Sequence, residues 1–424
     1  MTDNFLKPYR LVVKTLSPLH IGMGAKLGKA DFILRDGFAH VVDENKLLDW
    51  ILRQPGAERL ALALSDDLRN PEGGVEKFLK ERFRGDLAQV IAYSLPYQGA
   101  PKDVATFMKT VDHQPYLPGS SMKGVLRSGL LRGKMLGEAG LREKAMEAIE
   151  QGAEARGRPK TNSDEIQANL FVHGNKSASK WPNFDINRLL VLRDSEPLSI
   201  DALDIVAVKT LSVQYDQKLK AKPFDIFVEA VAANQLAQHA VTWQENLLRA
   251  EASALGFTHL EDLMVFLPEY CRRVSQDLLT QEQRFYERHA WKDLAEWFEK
   301  RLASLAKSEE DVFILPMGWG SGYDAKTITD LLDDETFGNV VETYKYTWGL
   351  GKPGRNRDED WLGPEDSPKS RKIVEHNGKA APMGWVVCQF MAEGETDWLA
   401  ERREVLQERR PVVVISAPEP TIPA

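Results

Sequence analysis

Cysteine is nearly missing from this chain. Two occur in 424 residues, Cys271 and Cys388, too far apart to make a zinc knuckle between them, and their scarcity fits a reducing cytoplasm. Long apolar runs are missing too, which argues against a membrane span. The start, MTDNFLKPYR, has no apolar core behind a basic end and does not read as a secretory signal. The eight histidines include no His-Glu-x-x-His and no helical pair at ligand spacing, so no metal site and no cofactor are expected. No tandem repeat of fixed period is visible. Positive charge is not in excess: the net charge is −8, unlike a free-standing nucleic-acid-binding domain, which is usually basic.

What charge there is lies unevenly. Acidic residues crowd helical stretches such as Glu287–Glu310. Basic residues gather at joints rich in Gly or Pro: 123–134, 156–160, 345–357 and 369–372. That pattern is expected of one local basic groove.

The most informative stretch is PYLPGSSMKGVLRSGLL, Pro115–Leu131. Pro118 and Gly119 end an extended segment, and Ser120 and Ser121 offer N-cap hydroxyls. Met122, Val125, Leu126, Gly129 and Leu130 then follow helical spacing, with Lys123, Arg127 and Lys134 on a polar face. A lysine in the first turn faces the positive end of the helix dipole. Either an anion bound there repays it, or Lys123 is an ordinary solvated lysine. In both cases its loss is expected to spare the fold.

Alternation reads as strands at Tyr9–Leu16, 31–34, 38–42, 189–192, 204–213, 224–231, 312–315, 343–348, 371–375 and 384–390. Asp36-Gly37 and Asn377-Gly378 signal hairpins. Residues 20–28 read as a glycine loop, 236–305 as almost wholly helical, 152–164 as a flexible stretch and 395–409 as a terminal helix before a frayed tail. Two hairpins exclude a doubly wound parallel sheet and fit a split β-α-β-β-α-β unit, the ferredoxin-like arrangement that also underlies the RRM sheet.

Gly22-Met23-Gly24 follows a strand, but no helix opens after it, so a dinucleotide fingerprint fails. Gly318 to Gly322 with Lys326-Thr327 resembles a P-loop, but Ala325 stands where a glycine is needed. No Gly-Gly-Asp-Asp run exists. What remains is close backbone approach to phosphates and sugars beside cations. His20, in the apolar frame Leu19-His20-Ile21, reads as structural. Tyr344, Tyr346 and Trp348 share a strand face and read as core; Trp319 and Tyr323 are the better base-stacking candidates.

These motifs resemble the RAMP superfamily of CRISPR systems, nearest to the Csm-type terminal subunit of type III-A effectors. LSPLHIGMG (16–24), the Pro-Gly-Ser-Ser helix start, VLRDSEPL (191–198), LPMGWGSGYDAKTI (315–328) and SPKSRKIV with APMGWVV occur in the family's order. The resemblance implies an α+β fold of RRM-like, ferredoxin-like units with helical insertions. The expected segments are an RRM-like part at 1–235, an acidic helical region at 236–310 and a second RAMP-like part at 311–424. It further implies a non-catalytic, RNA-binding subunit that caps the 3′-end side of the guide RNA in antiviral defence and contributes to assembly and guide maturation. The implied partners are guide RNA, target RNA and the neighbouring backbone RAMP subunits. Gly119, Ser120, Ser121, Lys123 and Arg127 would touch guide RNA, with Gly22, Gly24, Gly320, Ser321, Gly322 and Lys326 as further contacts. The rival is a RAMP endoribonuclease that works through His20 or Asp31, although Asp31 reads as a strand-edge residue.

Overall fold

Strand β1 (Leu6–Thr15) sets the register of the molecule. It buries Tyr9, Leu11, Val13 and Thr15 on one face, and each aliphatic side chain so buried is worth about 1.5–3 kcal/mol. In the computed structural model, residues 6–154, 166–172, 181–333, 335–340, 342, 368–376, 378–394 and 396–408 are described, apart from 215, 217 and 259.

In chain order there follow β2 (Gly22–Leu27), β3 (Phe32–Arg35), β4 (Phe38–Val42), helices α1 (Glu44–Leu52), α2 (Ala57–Arg69) and α3 (Val75–Arg82), then β5 (Ile91–Pro96) and β6 (Val104–Phe107). Helices α4 (Gly119–Gly137) and α5 (Ala139–Glu154) precede β7 (Leu190–Ser195), β8 (Leu203–Val213), β9 (Leu219–Val231) and β10 (Leu236–Gln244). Helices α6 (Leu267–Arg288) and α7 (Lys292–Lys307), β11 (Phe313–Pro316), β12 (Ser370–His376), β13 (Lys379–Pro382), β14 (Trp385–Ala392) and α8 (Trp398–Glu408) complete the order, with short helical turns between.

The first sheet runs β11-β14-β1-β10-β7, every pair antiparallel. Taken as β1, β7, β10 and β14, with α4 as one crossover and α6–α7 as the other, this is the expected split β-α-β-β-α-β order. Strands β1, β10 and β14 come from the three sequence segments 1–235, 236–310 and 311–424, yet they lie side by side over a shared core. The Tyr9 hydroxyl donates to Asp397 at 2.5 Å and accepts from the Leu399 amide, tying α8 to β1. The second sheet runs β13-β12-β8-β9-β6-β2, with only β6–β9 parallel. Strands β3-β4-β5 form a third sheet, and α1–α3 pack beside it on their own small core.

Three expectations need correction. Residues 236–244 are strand β10, not helix: Ala237, His239, Val241 and Trp243 alternate inward. Residues 22–27 are strand β2 rather than loop. The turn at Gly378 lies between β12 and β13, which pair, while β14 leaves for the first sheet. The Asp36-Gly37 hairpin forms as expected, with φ of 52° and 81°. Tyr344, Tyr346, Trp348, most of 152–164 and the frayed tail lie outside the described residues. Among the described residues, no helix is long and apolar enough to cross a membrane.

Candidate nucleic-acid interface

Helix α4 begins one residue before its serines. Pro118 is the N-cap residue, and neither Ser120 nor Ser121 caps. The Gly119 amide donates instead to Asp194 Oδ1 at 2.7 Å, so a protein carboxylate occupies the positive end of the dipole. A Cβ on Gly119 would come within 2.7 Å of the Arg193 backbone, which is why glycine stands there. Ser120 is exposed and Ser121 half-buried.

Two of the three cations of the polar face, Lys123 and Arg127, fasten inward. Lys123 Nζ donates to the Leu190 carbonyl at 2.7 Å, and burial lowers its pKa, with the Asp185 charge opposing. Arg127 pairs with Asp185 at 2.6 Å, donates to Gln167 and lies 3.9 Å over the Phe171 ring. Both cations fasten α4 to the segments around β7.

The glycine segments meet at the other edge of the sheet, around His20. The Trp319 amide donates to the His20 carbonyl, Gly384 N to the Pro18 carbonyl and Met317 N to the Gly384 carbonyl, at 2.7–2.8 Å. Side chains at Gly318 or Gly384 would strike the His20 or Met317 carbonyl at 2.4 and 2.3 Å. The Gly318 carbonyl accepts from Ser321 Oγ and Lys326 Nζ. Gly22 sits against His20 Nε2, whereas Gly24 and Gly322 face open space with positive φ. The structure therefore gathers Gly22, Gly320, Ser321, Gly322 and Lys326 near His20. It keeps Gly119–Arg127 apart, at the β7 edge. Trp319 packs edge-on to His20 rather than lying free.

The buried surroundings of His20 are structural. Its Nδ1 donates to the Glu229 carbonyl at 2.6 Å, and burial lowers its pKa. The Glu229 carboxylate is fully buried. It accepts from Tyr93 Oη and Phe107 N, each at 2.7 Å, and pairs with Lys109. Burial and the Glu229 charge push the Tyr93 pKa up, and burial lowers that of Lys109. Asp31 Oδ2 accepts from Gly28 N at 2.7 Å, and its carbonyl accepts from the Val42 amide of β4, which puts Asp31 in the turn at the edge of β3.

A second buried network was not foreseen. Arg132 on α4 grips Asp330 with two 2.6 Å bonds, reaches Asp277, and donates to the Asp324 and Thr327 carbonyls. Arg371 on β12 pairs with Glu282 and lies 3.6 Å from Asp324. Burial lifts the Asp324 pKa to about 7; Arg371 opposes the shift and the Asp330 charge adds to it. This network holds the glycine loop's continuation onto α4 and α6. Glu229 inside the apolar run FVEAV was the available signal for the first cluster. For Arg132 no local signal existed, because its partners lie well over a hundred residues away. Among the described residues, no group of acidic, histidine or cysteine side chains is arranged to hold a metal ion.

A family model described as "RAMP superfamily" matches residues 12–323. A curated relative, "CRISPR system Cms protein Csm5" of Streptococcus thermophilus, is 24% identical over 242 residues. The match covers 54% of this chain and 62% of that protein, so the chain spans less than two thirds of the curated relative's length. Among solved structures, a chain of "Cryo-EM structure of Csm-crRNA-target RNA ternary complex in type III-A CRISPR-Cas system" aligns with a TM-score of 0.65 at 24% identity, over 90% of this chain and all of that one. The crystal structure of T.onnurineus Csm5 aligns with a TM-score of 0.57 at 21% identity, over 89% of this chain and 99% of that one.

Proposed function

This chain belongs to the RAMP superfamily, and from that premise we propose that it is a non-catalytic, RNA-binding subunit of a cytoplasmic type III-A CRISPR effector ribonucleoprotein. It caps the 3′-end side of the guide RNA, contributes to assembly and guide maturation, and neighbours the backbone RAMP subunits and the target RNA. The supporting observation is the extent of the likeness: nine tenths of this chain align with the whole of a chain from a Csm–crRNA–target RNA complex. A further support concerns catalysis. General acid–base cleavage needs a group within reach of its proton and a partner for the leaving oxygen. His20 is buried with Nδ1 held on the Glu229 carbonyl, and Asp31 accepts from the Gly28 amide in a turn.

The contacts proposed for guide RNA are Gly119, Ser120, Ser121, Lys123 and Arg127, with Gly22, Gly24, Gly320, Ser321, Gly322 and Lys326 on the second cluster. The test is a complex reconstituted with photoreactive guide RNA. The expected result is crosslinking of the guide's 3′ part to this chain, with single-turnover RNA cleavage unchanged by His20→Ala or Asp31→Ala. An assembled complex whose guide never crosslinks to this chain would refute RNA binding. Loss of one cleavage position in either variant would promote the endoribonuclease instead.

A further inference from the structure

Strand β9 breaks its register once. Lys209 pairs with Asp225 and Leu211 with Ala221, so the single residue Thr210 faces three, Lys222, Pro223 and Phe224. A bulge of this kind re-aims side chains and ends ladder pairing, and Pro223 suits it because proline has no amide to pair. Residues 220–225 are all exposed, and Phe224 keeps 55% of its surface open to solvent.

Cations surround the bulge. Thr210 pairs across β8–β12 with Lys372, whose Nζ reaches Thr210 Oγ1 at 2.5 Å and stands 5.3 Å from the Trp319 ring centroid. Burial depresses the Lys372 pKa, and the Lys222 charge depresses it further. Two lysines are thus held close enough to repel each other, and no carboxylate among the described residues pairs with either. Further along β9, a cavity of about 300 Å³ is lined by Lys26, Lys102, Ala105 and Ile226, with Asp103 and Asp225 at its wall. From β12 to β2 the path crosses four strand spacings, about 19 Å.

We propose that Lys222, Phe224, Lys372 and Lys26 form a single-stranded RNA track across the second sheet, separate from the start of α4. The lysines take phosphates, and Phe224 offers a stacking face to a base. Charge complementarity selects the occupant: this is a lysine-rich face on a protein of net charge −8, and lysines interleaved with an exposed ring are the single-strand pattern. An acidic protein surface would need the cations but not the ring. The proposal rests on the reading that the chain binds RNA.

The full-length chain is titrated with labelled oligouridine, and the complex is crosslinked to thiouridine-bearing guide and target RNA. Phe224→Ala is expected to weaken oligouridine binding about tenfold with an unchanged salt slope. Lys222→Ala with Lys372→Ala is expected to flatten the log–log salt slope by about 1.4, at about 0.7 per phosphate. Phe224 and Lys222 are exposed, so an unchanged melting temperature in their single variants excludes a folding artefact. Crosslinks on residues 220–226 support the track. Crosslinks confined to α4 overturn it and leave the RNA-binding reading intact. A chain that neither binds oligouridine nor crosslinks overturns both. Loss of a neighbouring subunit from the Lys222→Ala complex, with RNA crosslinks unchanged, reassigns the face to protein contact and also overturns it.

Discussion

His20 and Asp324 are buried titratable groups whose effects on stability oppose each other. Burial holds the His20 pKa below its ordinary 6.5, and His239 behaves alike, bonded only to the Arg193 carbonyl. As pH falls through 6.5 the unfolded chain takes up protons that the folded chain refuses, so their contribution to stability is lost in acid. Asp324 is raised from 3.8 to about 7 in the folded state. Its contribution is complete below about 3.8 and is lost as pH rises through 7. Asp324→Asn should therefore make stability rise more steeply between pH 4 and 7, and His20→Asn should flatten the rise. Urea midpoints across that range decide this; parallel profiles for Asp324→Asn and the parent would contradict the assignment. Lys123 gives a second prediction, opposite in sign to the sequence expectation that the fold would not suffer. The dipole penalty is a few tenths of a kcal/mol, while the bond to the Leu190 carbonyl is a charged one at a half-buried site. Lys123→Ala should cost about 1 kcal/mol net. A melting temperature equal to or above the parent's would contradict this and restore the expectation that the fold is spared.

At the scale of elements, α4 is a rod with glycines of different purpose. A Cβ on Gly133 would lie 2.4 Å from the Tyr270 carbonyl, and one on Gly129 2.8 Å from Cys271 Sγ, so these two let α4 press against α6. Gly124 is exposed with nothing near its missing Cβ. Gly133→Ala should destabilise by about 1–3 kcal/mol through overpacking. Gly124→Ala should stabilise by about 0.5–1 kcal/mol, because it removes a helix-interior glycine. Equal effects from the two would refute this division. Arg132 makes the same helix an anchor. Replacing it strands the carboxylates of Asp330 and Asp277, at a cost of about 3–5 kcal/mol. Arg132→Lys should rescue little, since an ammonium cannot reproduce two parallel bonds; denaturant unfolding of both variants tests it. The start of α4 was legible to within two or three residues because Pro-Gly-Ser-Ser is local chemistry. Its cap was not legible, because Asp194 lies seventy-five residues on. Strand β10 was missed because Leu, Ala and Gln are also good helix formers, and its inward period of two was submerged in a long helical window. Strand β2 was missed because its residues are mostly exposed and show no alternation.

The molecule as a whole explains why sequence order misleads about partners. Strand β14 pairs with β1 across most of the chain's length, and no periodicity announces a pairing between segments that far apart. The hairpin chemistry at Gly378 was real but joined β12 to β13, leaving β14 to a different sheet. The family pattern was legible because it is a series of short motifs in fixed order. The placement of the residues proposed to contact RNA was not, since the fold sends Gly119–Arg127 and the 317–326 loop to opposite edges of one sheet. Charge follows the same logic. A net charge of −8 repels RNA at long range, and screening shortens that repulsion to about 8 Å in physiological salt. Binding by the full-length chain should then depend on a few local cations. With three to five of them engaged, at about 0.7 each, the log–log salt slope for single-stranded RNA should be roughly 2–4. The affinity should be weak unless neighbouring subunits extend the track. A titration of oligouridine binding against salt reads both quantities together. A slope near zero would mean that contacts other than phosphates dominate, and tight binding at high salt by the lone chain would contradict a local groove on an acidic protein.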